Sequence, residues 1–316
     1  MTLTIGVDIG GTKVAGGVVE ADGRILEQHR VTTPARDAEA TTDAIVRVIE
    51  ELRGRHDDIE AVGLGIAGFV DAARSVVYFA PNLLGWRDGP LREEVEKRVN
   101  LPVVVENDAN AAAWGEARFG AGREEACIVC VTLGTGVGGG IIVDRHLFRG
   151  GFGVAAEIGH IQMVEGGRPC GCGQRGCWEQ YASGGALVRE ARERAEEDRP
   201  AAELLLGLGD GTPQGIAGQH VTEAAHQGDP VAIAAFDTLG HWVGQGLADL
   251  AAVVDPQVFI LGGGVSEAGE VLLEPTRKAY EELLTGRGRR PLAEVVPAQL
   301  GNDAGLVGAA DLARDR

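Results

Sequence analysis

The sequence is short of positive charge: 29 Lys and Arg stand against 47 Asp and Glu, a formal charge of −18 at pH 7. Such a surface repels phosphate backbones and anionic lipid. This excludes nucleic acid or an anionic membrane as the natural partner and means that any bound phosphate needs local compensation. Long apolar runs are missing as well. None approaches the roughly 18 residues of a membrane span, and residues 1–4 enter a strand with no basic, signal-like segment, so the chain reads as cytoplasmic. Glycine, by contrast, is plentiful: 49 residues, about twice the ordinary share, so many backbone positions are tight. At 316 residues, 44% of them hydrophobic, two α/β domains of about 150 residues each are expected.

The glycines gather into loops. Gly6-Val7-Asp8-Ile9-Gly10-Gly11-Thr12-Lys13 sets a turn of small residues between apolar runs, where Gly10, Gly11, Thr12 and Lys13 can aim backbone N–H groups, a hydroxyl and an ammonium at an anion. The Thr-Lys order fails the Gly-Lys-Ser/Thr ending of nucleoside-triphosphatase loops. The next residues, through Asp22-Gly23, read as a hairpin rather than a helix. A glycine-rich hairpin with no ligand is the plain alternative. The pattern restarts at an offset of 124: an apolar strand over 128–133, then Gly134, Thr135, Gly136, Val137 and Gly138, then apolar residues from Ile141. Duplication of an α/β unit is the economical reading, with a nucleotide in a central cleft gripped by both loops. A third run, Gly262-Gly263-Gly264, ends a buried strand, where adenine and ribose can lie flat against backbone. The alternative there is a tight strand-to-helix turn, with Ser266 placed to cap the helix after it.

Between the loops, residues 41–55 place Ile45, Val48, Ile49 and Leu52 on one helical face after a Thr-Thr-Asp start that can cap it. Helical patterns recur over 90–99, 108–119, 179–199, 230–254 and 301–312, the last crossing back to the first half. Residues 150–176 are irregular, and they hold the sharpest local signal: His160, then Cys170, Cys172 and Cys177. One histidine and three thiols are a tetrahedral zinc set by ligand type, and with all four positions filled by protein the metal is structural. Disulfides are the competing reading, but three cysteines cannot pair evenly and a reducing cytoplasm disfavours bridges. Cys127 and Cys130 lie in an apolar strand and read as core thiols.

Carboxylates surround that loop. Glu157 comes before the metal-ligand cysteines, three residues ahead of His160, and Glu179 two residues after Cys177, and with Asn107 and Asp108 they make an acceptor-rich pocket of the kind a polyhydroxylated sugar requires. Asp108 ends a buried strand, where an uncompensated carboxylate is costly, and is assigned as general base for a hydroxyl attacking phosphorus. Asp8 is placed to hold Mg²⁺ through water.

Asp8-Ile-Gly-Gly-Thr-Lys13, Glu106-Asn-Asp-Ala-Asn110, Leu133-Gly-Thr-Gly-Val-Gly-Gly-Gly140, Glu157-Ile-Gly-His160 and the Cys170 to Glu179 run together resemble the ROK family of sugar kinases and repressors, in the family's order, from residue 5 to about 310. The resemblance implies the duplicated actin-like (ribonuclease-H-like) α/β fold. A smaller N-terminal domain (1–118) would be completed by a C-terminal helix (about 301–316), with a larger domain over 119–300 carrying the zinc loop. It further implies glucokinase activity in carbohydrate metabolism, the ATP-dependent phosphorylation of glucose to glucose 6-phosphate. Asp108 matches the family's base; Asn107, Glu157, His160 and Glu179 match its sugar ligands; His160, Cys170, Cys172 and Cys177 match its zinc ligands. Gly68 and Asn82 lie where the family also lines the sugar pocket. A homodimer or homotetramer is implied.

Fructokinase and N-acetylhexosamine kinases share these motifs and stay open, as does polyphosphate as donor. A sugar-responsive repressor is disfavoured because the phosphate loop begins at residue 6, leaving no room for a helix-turn-helix, and the charge opposes DNA. A catalytically silent sugar-binding module is disfavoured by the intact Asp108 and loops.

Overall fold

The computed structural model describes residues 2–80, 83 and 87–314. Two compact units emerge: Met1–Cys130 with Gly139–Ala156 and Gln299–Arg316 in the first, Val131–Gly138 with Glu157–Ala298 in the second.

The first unit is built on β1 (Leu3–Ile9), β2 (Lys13–Val19), β3 (Ile25–Thr32) and β4 (Ile59–Ile66), with α1 (Ala38–Arg53) before β4. A small sheet comes next, of β5 (Phe69–Val70), β6 (Val77–Phe79) and β7 (Arg87–Gly89), then α2 (Leu91–Val99), β8 (Val103–Asn107) and α3 (Asp108–Phe119). The main sheet has the order β3-β2-β1-β4-β8, antiparallel through the hairpins and parallel from β1 through β4 to β8. The parallel strands are apolar almost throughout because both faces are covered. Ile45, Val48, Ile49 and Leu52 of α1 are buried as the periodicity requires, but the helix starts earlier than the Thr-Thr-Asp run, and its cap is Asp37, which accepts from Ala40 N–H at 3.0 Å.

The chain continues through β9 (Ile128–Leu133), β10 (Val137–Val143) and β11 (His146–Leu147) to α4 (Glu179–Ala182), α5 (Gly184–Glu197), α6 (Glu203–Leu208), α7 (Gly218–His226) and α8 (Pro230–Val254). It closes with β12 (Val258–Gly262), α9 (Glu270–Leu283), β13 (Glu294–Pro297) and α10 (Ala304–Leu312). The helical pattern over 179–199 is broken at Ser183, whose hydroxyl caps α5 through Ala186 N–H.

The second sheet, β11-β10-β9-β12-β13, repeats the order of the first. The repeat is in register: β1 and β9 end, and β2 and β10 begin and end, at the same offset of 124. Duplication therefore holds at the level of strands, and each half turns from its first strand to its second through a glycine loop.

The C-terminal helix does return. α10 packs on α3, β1 and β4, and the approach is close because the facing residues are small. A Cβ on Gly63 would lie 1.8 Å from Ala309 O, so no other residue fits there. Asp311 secures the contact, accepting from Trp114 Nε1 at 2.9 Å and Arg118 Nε at 3.0 Å. No helix of the described residues is long and apolar enough to cross a membrane.

Candidate active site and metal centre

In the first unit, β1 delivers Asp8 and the turn after it delivers Gly10, Gly11 and Thr12, with Lys13 opening β2. Gly10 N–H donates to Lys13 O at 3.0 Å and closes the turn. Asp108 is not at a strand end but one residue beyond it, the first residue of α3, with Asn107 as the helix cap. Asn107 is fully engaged on one side: Oδ1 accepts from Asn110 N–H at 3.0 Å, and Nδ2 donates to Gly68 O at 3.1 Å, so these two predicted sugar residues touch. Among the described residues Nδ2 donates only to Gly68 O, so its second amide hydrogen can serve a ligand.

Asp8 and Asp108 are brought together. Burial, and then the charge of Asp108, push the Asp8 carboxyl up to about 6 against the pull of Lys13. Burial likewise holds the Asp108 carboxyl above its usual range, opposed by the Ala109 N–H that its Oδ1 accepts at 2.9 Å. Two desolvated carboxylates, the charge of one felt by the other, suit a divalent cation and a proton acceptor.

Sequence reasoning missed what fixes the start of α3. Glu106, 1% exposed, accepts from Asn107 N–H at 2.9 Å and Asn110 Nδ2 at 3.1 Å through Oε1, while Oε2 is ion-paired with Arg74 Nε at 3.0 Å and Arg149 Nε at 2.8 Å. The signal was present: a lone carboxylate in an otherwise apolar strand must find its cations elsewhere in the chain.

In the second unit, the repeated turn is one residue tighter, with Gly134 N–H donating to Gly136 O at 3.0 Å, and Gly138 lies in β10 rather than in a loop. Gly262 ends β12, Gly263 adopts φ +83°, and Gly264 begins a 3-10 turn. Ser266 does not cap the next helix. Its hydroxyl donates to Gly263 O at 2.7 Å, and α9 starts at Glu270 after an uncapped Gly269.

The metal ligands converge. His160 Nδ1 lies 3.6 Å from Cys170 Sγ, Cys172 Sγ lies 3.7 Å from Cys177 Sγ, and all four donor atoms fall within 4.8 Å of one another. A tetrahedral zinc with Zn–S near 2.3 Å and Zn–N near 2.0 Å sets edges of about 3.8 Å between sulfurs and about 3.5 Å between sulfur and nitrogen. The cluster fits a structural zinc. His160 turns Nδ1 to the sulfurs, which leaves Nε2 as the outward nitrogen. Glu179 Oε1 sits 2.9 Å from Cys170 Sγ and 4.0 Å from His160 Nδ1. Glu157 precedes a 3-10 turn, and its carbonyl accepts from His160 N–H at 3.0 Å.

Between Cys177 and Glu179, Trp178 is fully buried and donates to Trp242 O at 2.7 Å, which pins the metal loop to α8. Cys130 is a core thiol, driven far up by burial; Cys127 is half-buried. Asn82 lies outside the described residues.

The ROK family model matches residues 4–316, and the chain belongs to the ROK family. It is 59% identical to the glucokinase of Streptomyces coelicolor over 315 residues, which is 100% of this chain and 98% of that protein. Among solved structures it is similar to a ROK family glucokinase from Streptomyces griseus in complex with glucose and AMPPNP, with TM-score 0.92 and 59% identity over 99% of this chain and 100% of that one. It is also similar to the ROK hexokinase of Thermus thermophilus, at TM-score 0.79 and 34% identity over 99% and 98% of the two chains. The repeated α/β halves are thus the actin-like sugar-kinase fold.

Proposed function

We infer that the chain phosphorylates glucose at the expense of ATP, giving glucose 6-phosphate and ADP. One observation carries this: 99% of the chain aligns, at TM-score 0.92 and 59% identity, with a ROK family glucokinase in complex with glucose and AMPPNP.

Asp108 serves as general base. It accepts the proton of the glucose 6-hydroxyl as that oxygen bonds to the γ-phosphorus and the bond to the ADP oxygen breaks. Its raised affinity for a proton suits the task, and Glu106 with Asn107 fixes the start of the helix that carries it. The sugar is held by Gly68, Asn82, Asn107, Glu157, His160 and Glu179. Phosphates are taken by Gly10, Gly11, Thr12 and Lys13 and by Gly134, Thr135, Gly136 and Gly138, while Gly262, Gly263 and Gly264 take adenine and ribose.

Asp8 would hold Mg²⁺, whose charge relieves the pair of carboxylates and neutralises phosphate oxygens. Zinc on His160, Cys170, Cys172 and Cys177 orders the loop and aims the imidazole. A cytoplasmic homodimer or homotetramer with no nucleic-acid or membrane partner completes the reading; the −18 charge supports the last point.

A coupled assay across glucose, fructose, mannose, N-acetylglucosamine and N-acetylmannosamine, with ATP and with polyphosphate, tests it. The highest kcat/KM is expected for glucose with ATP. Preference for another sugar or for polyphosphate would replace this assignment.

A further inference from the structure

The turn after β1 poses a problem of orientation. The Gly10–Gly11 peptide has glycine on both sides, so little torsional preference keeps it from flipping and presenting its carbonyl, rather than its N–H, to an anion. Thr33, just past β3 and 7% exposed, supplies the missing restraint: its hydroxyl donates to Gly10 O at 2.7 Å, and its N–H donates to Thr12 O at 3.1 Å. A trans peptide is planar, with C=O and N–H on opposite edges, so holding the Gly10 carbonyl toward Thr33 turns the Gly11 N–H away from it, and holding the Thr12 carbonyl does the same for the Lys13 N–H. Among the described residues, the N–H groups of Gly11 and Thr12 donate to no protein acceptor. Both are left for a ligand.

We propose that Thr33 is a positioning residue for the donor's phosphates: its buried hydroxyl locks the Gly10–Gly11 peptide so that the Gly11 N–H faces the nucleotide. The proposal rests on residues 10–13 being the phosphate loop. Thr33 never touches the nucleotide itself. It acts by removing two carbonyl oxygens from the anion's side of the turn, where they would repel phosphate.

The test uses the full chain with Thr33→Val, which keeps shape and loses the donor, Thr33→Ser, which keeps the donor, and Lys13→Ala as a control on the loop. The Val variant is expected to raise the KM for ATP about tenfold, as loss of one well-placed hydrogen bond to a partly buried acceptor implies, with the KM for glucose and the Tm close to parental. The Ser variant should restore parental ATP kinetics. A parental KM for ATP in Thr33→Val, or a glucose KM that rises in step with it, overturns the proposal. The control separates the two failures. A raised ATP KM in Lys13→Ala beside an unchanged Thr33→Val removes only the role of Thr33, whereas unchanged ATP kinetics in both removes the phosphate-loop reading too.

Discussion

Glu179 lies so close to the second glycine loop that a Cβ on Gly136 would stand 2.5 Å from its Oε2, while its Oε1 rests 2.9 Å from Cys170 Sγ. One carboxylate thus spans the second glycine loop and the His-Cys₃ cluster. The side chain can yield at little cost, but only by leaving the position proposed for a sugar contact. Gly136→Ala should therefore fold normally and retain its metal, with the KM for glucose raised about fivefold or more through the lost hydrogen bond. A glucose KM equal to the parent's in a zinc-replete variant would show that Glu179 is not a sugar ligand.

The carboxyl of Asp8 makes stability pH-dependent in a defined direction. Its ordinary value of 3.8 rises to about 6 on folding, so between those values the folded chain holds a proton that the unfolded chain has lost. Stability from this group therefore falls as pH rises from about 4 to about 6, by about 3 kcal/mol at 1.36 kcal/mol per unit, and stays low above that. Asp8→Asn should melt higher than the parent at pH 7.5 in the absence of Mg²⁺, with the gain shrinking below pH 4, and should lose turnover because its cation ligand is gone. Melting curves across pH 3.5–7.5 decide this; a variant that gains nothing at neutral pH would mean the carboxylate is better solvated than its burial implies.

Local chemistry was legible in the sequence, and partnership was not. The hairpins, the glycine loops and the 124-residue offset show in residue type alone, because strands and turns of this kind are specified within a few residues. The metal ligands show for the same reason, three thiols in eight residues. The features that stayed hidden depend on contacts across the chain. Thr33 reaches back to Gly10, Trp178 to Trp242, and Glu106 to Arg149. Short α6 and α7 escaped because six to nine residues carry too little periodicity. The cap of α1 at Asp37 was obscured by a Thr-Thr-Asp run that lies inside the helix.

Asp108→Asn tests the base directly. The amide keeps the size of the side chain and an oxygen for the Ala109 N–H that Asp108 Oδ1 accepts at 2.9 Å, so the start of α3 should be undisturbed. It cannot take a proton. Turnover should drop by about 10²-fold or more, the low end for a lost general base, with glucose affinity and Tm retained. A variant working within a few-fold of the parent would remove Asp108 from the chemistry.

The metal cluster makes the last prediction, because the loop it closes holds little regular secondary structure and is tied mainly by short-range backbone hydrogen bonds. Among the described residues, 150–176 hold one 3-10 turn and two isolated bridges, Gln162 with Cys177 and Pro169 with Arg175, and a buried apolar anchor, Trp178, lies just beyond them. Zinc ligation, with apparent energies of ~10 kcal/mol in small zinc domains, is ample to fix such a segment. Cys172 is the exposed member of the set and Cys177 a buried one, so Cys172→Ala removes a ligand without opening a core cavity. His160 would then lose its fixed direction, and Cys170, which Glu179 contacts at 2.9 Å, would lose the metal that holds it in place. The consequence should be selective: zinc lost, Tm lowered, the KM for glucose raised and the KM for ATP much less affected, since none of the residues proposed for the nucleotide is a ligand of the metal, and Gly10–Lys13 and Asp108 belong to the other unit. Metal content measured beside kinetics settles it. A chain purified without chelators that carries no zinc, or a metal-free variant with an unchanged glucose KM, would leave the cluster without the role given to it here.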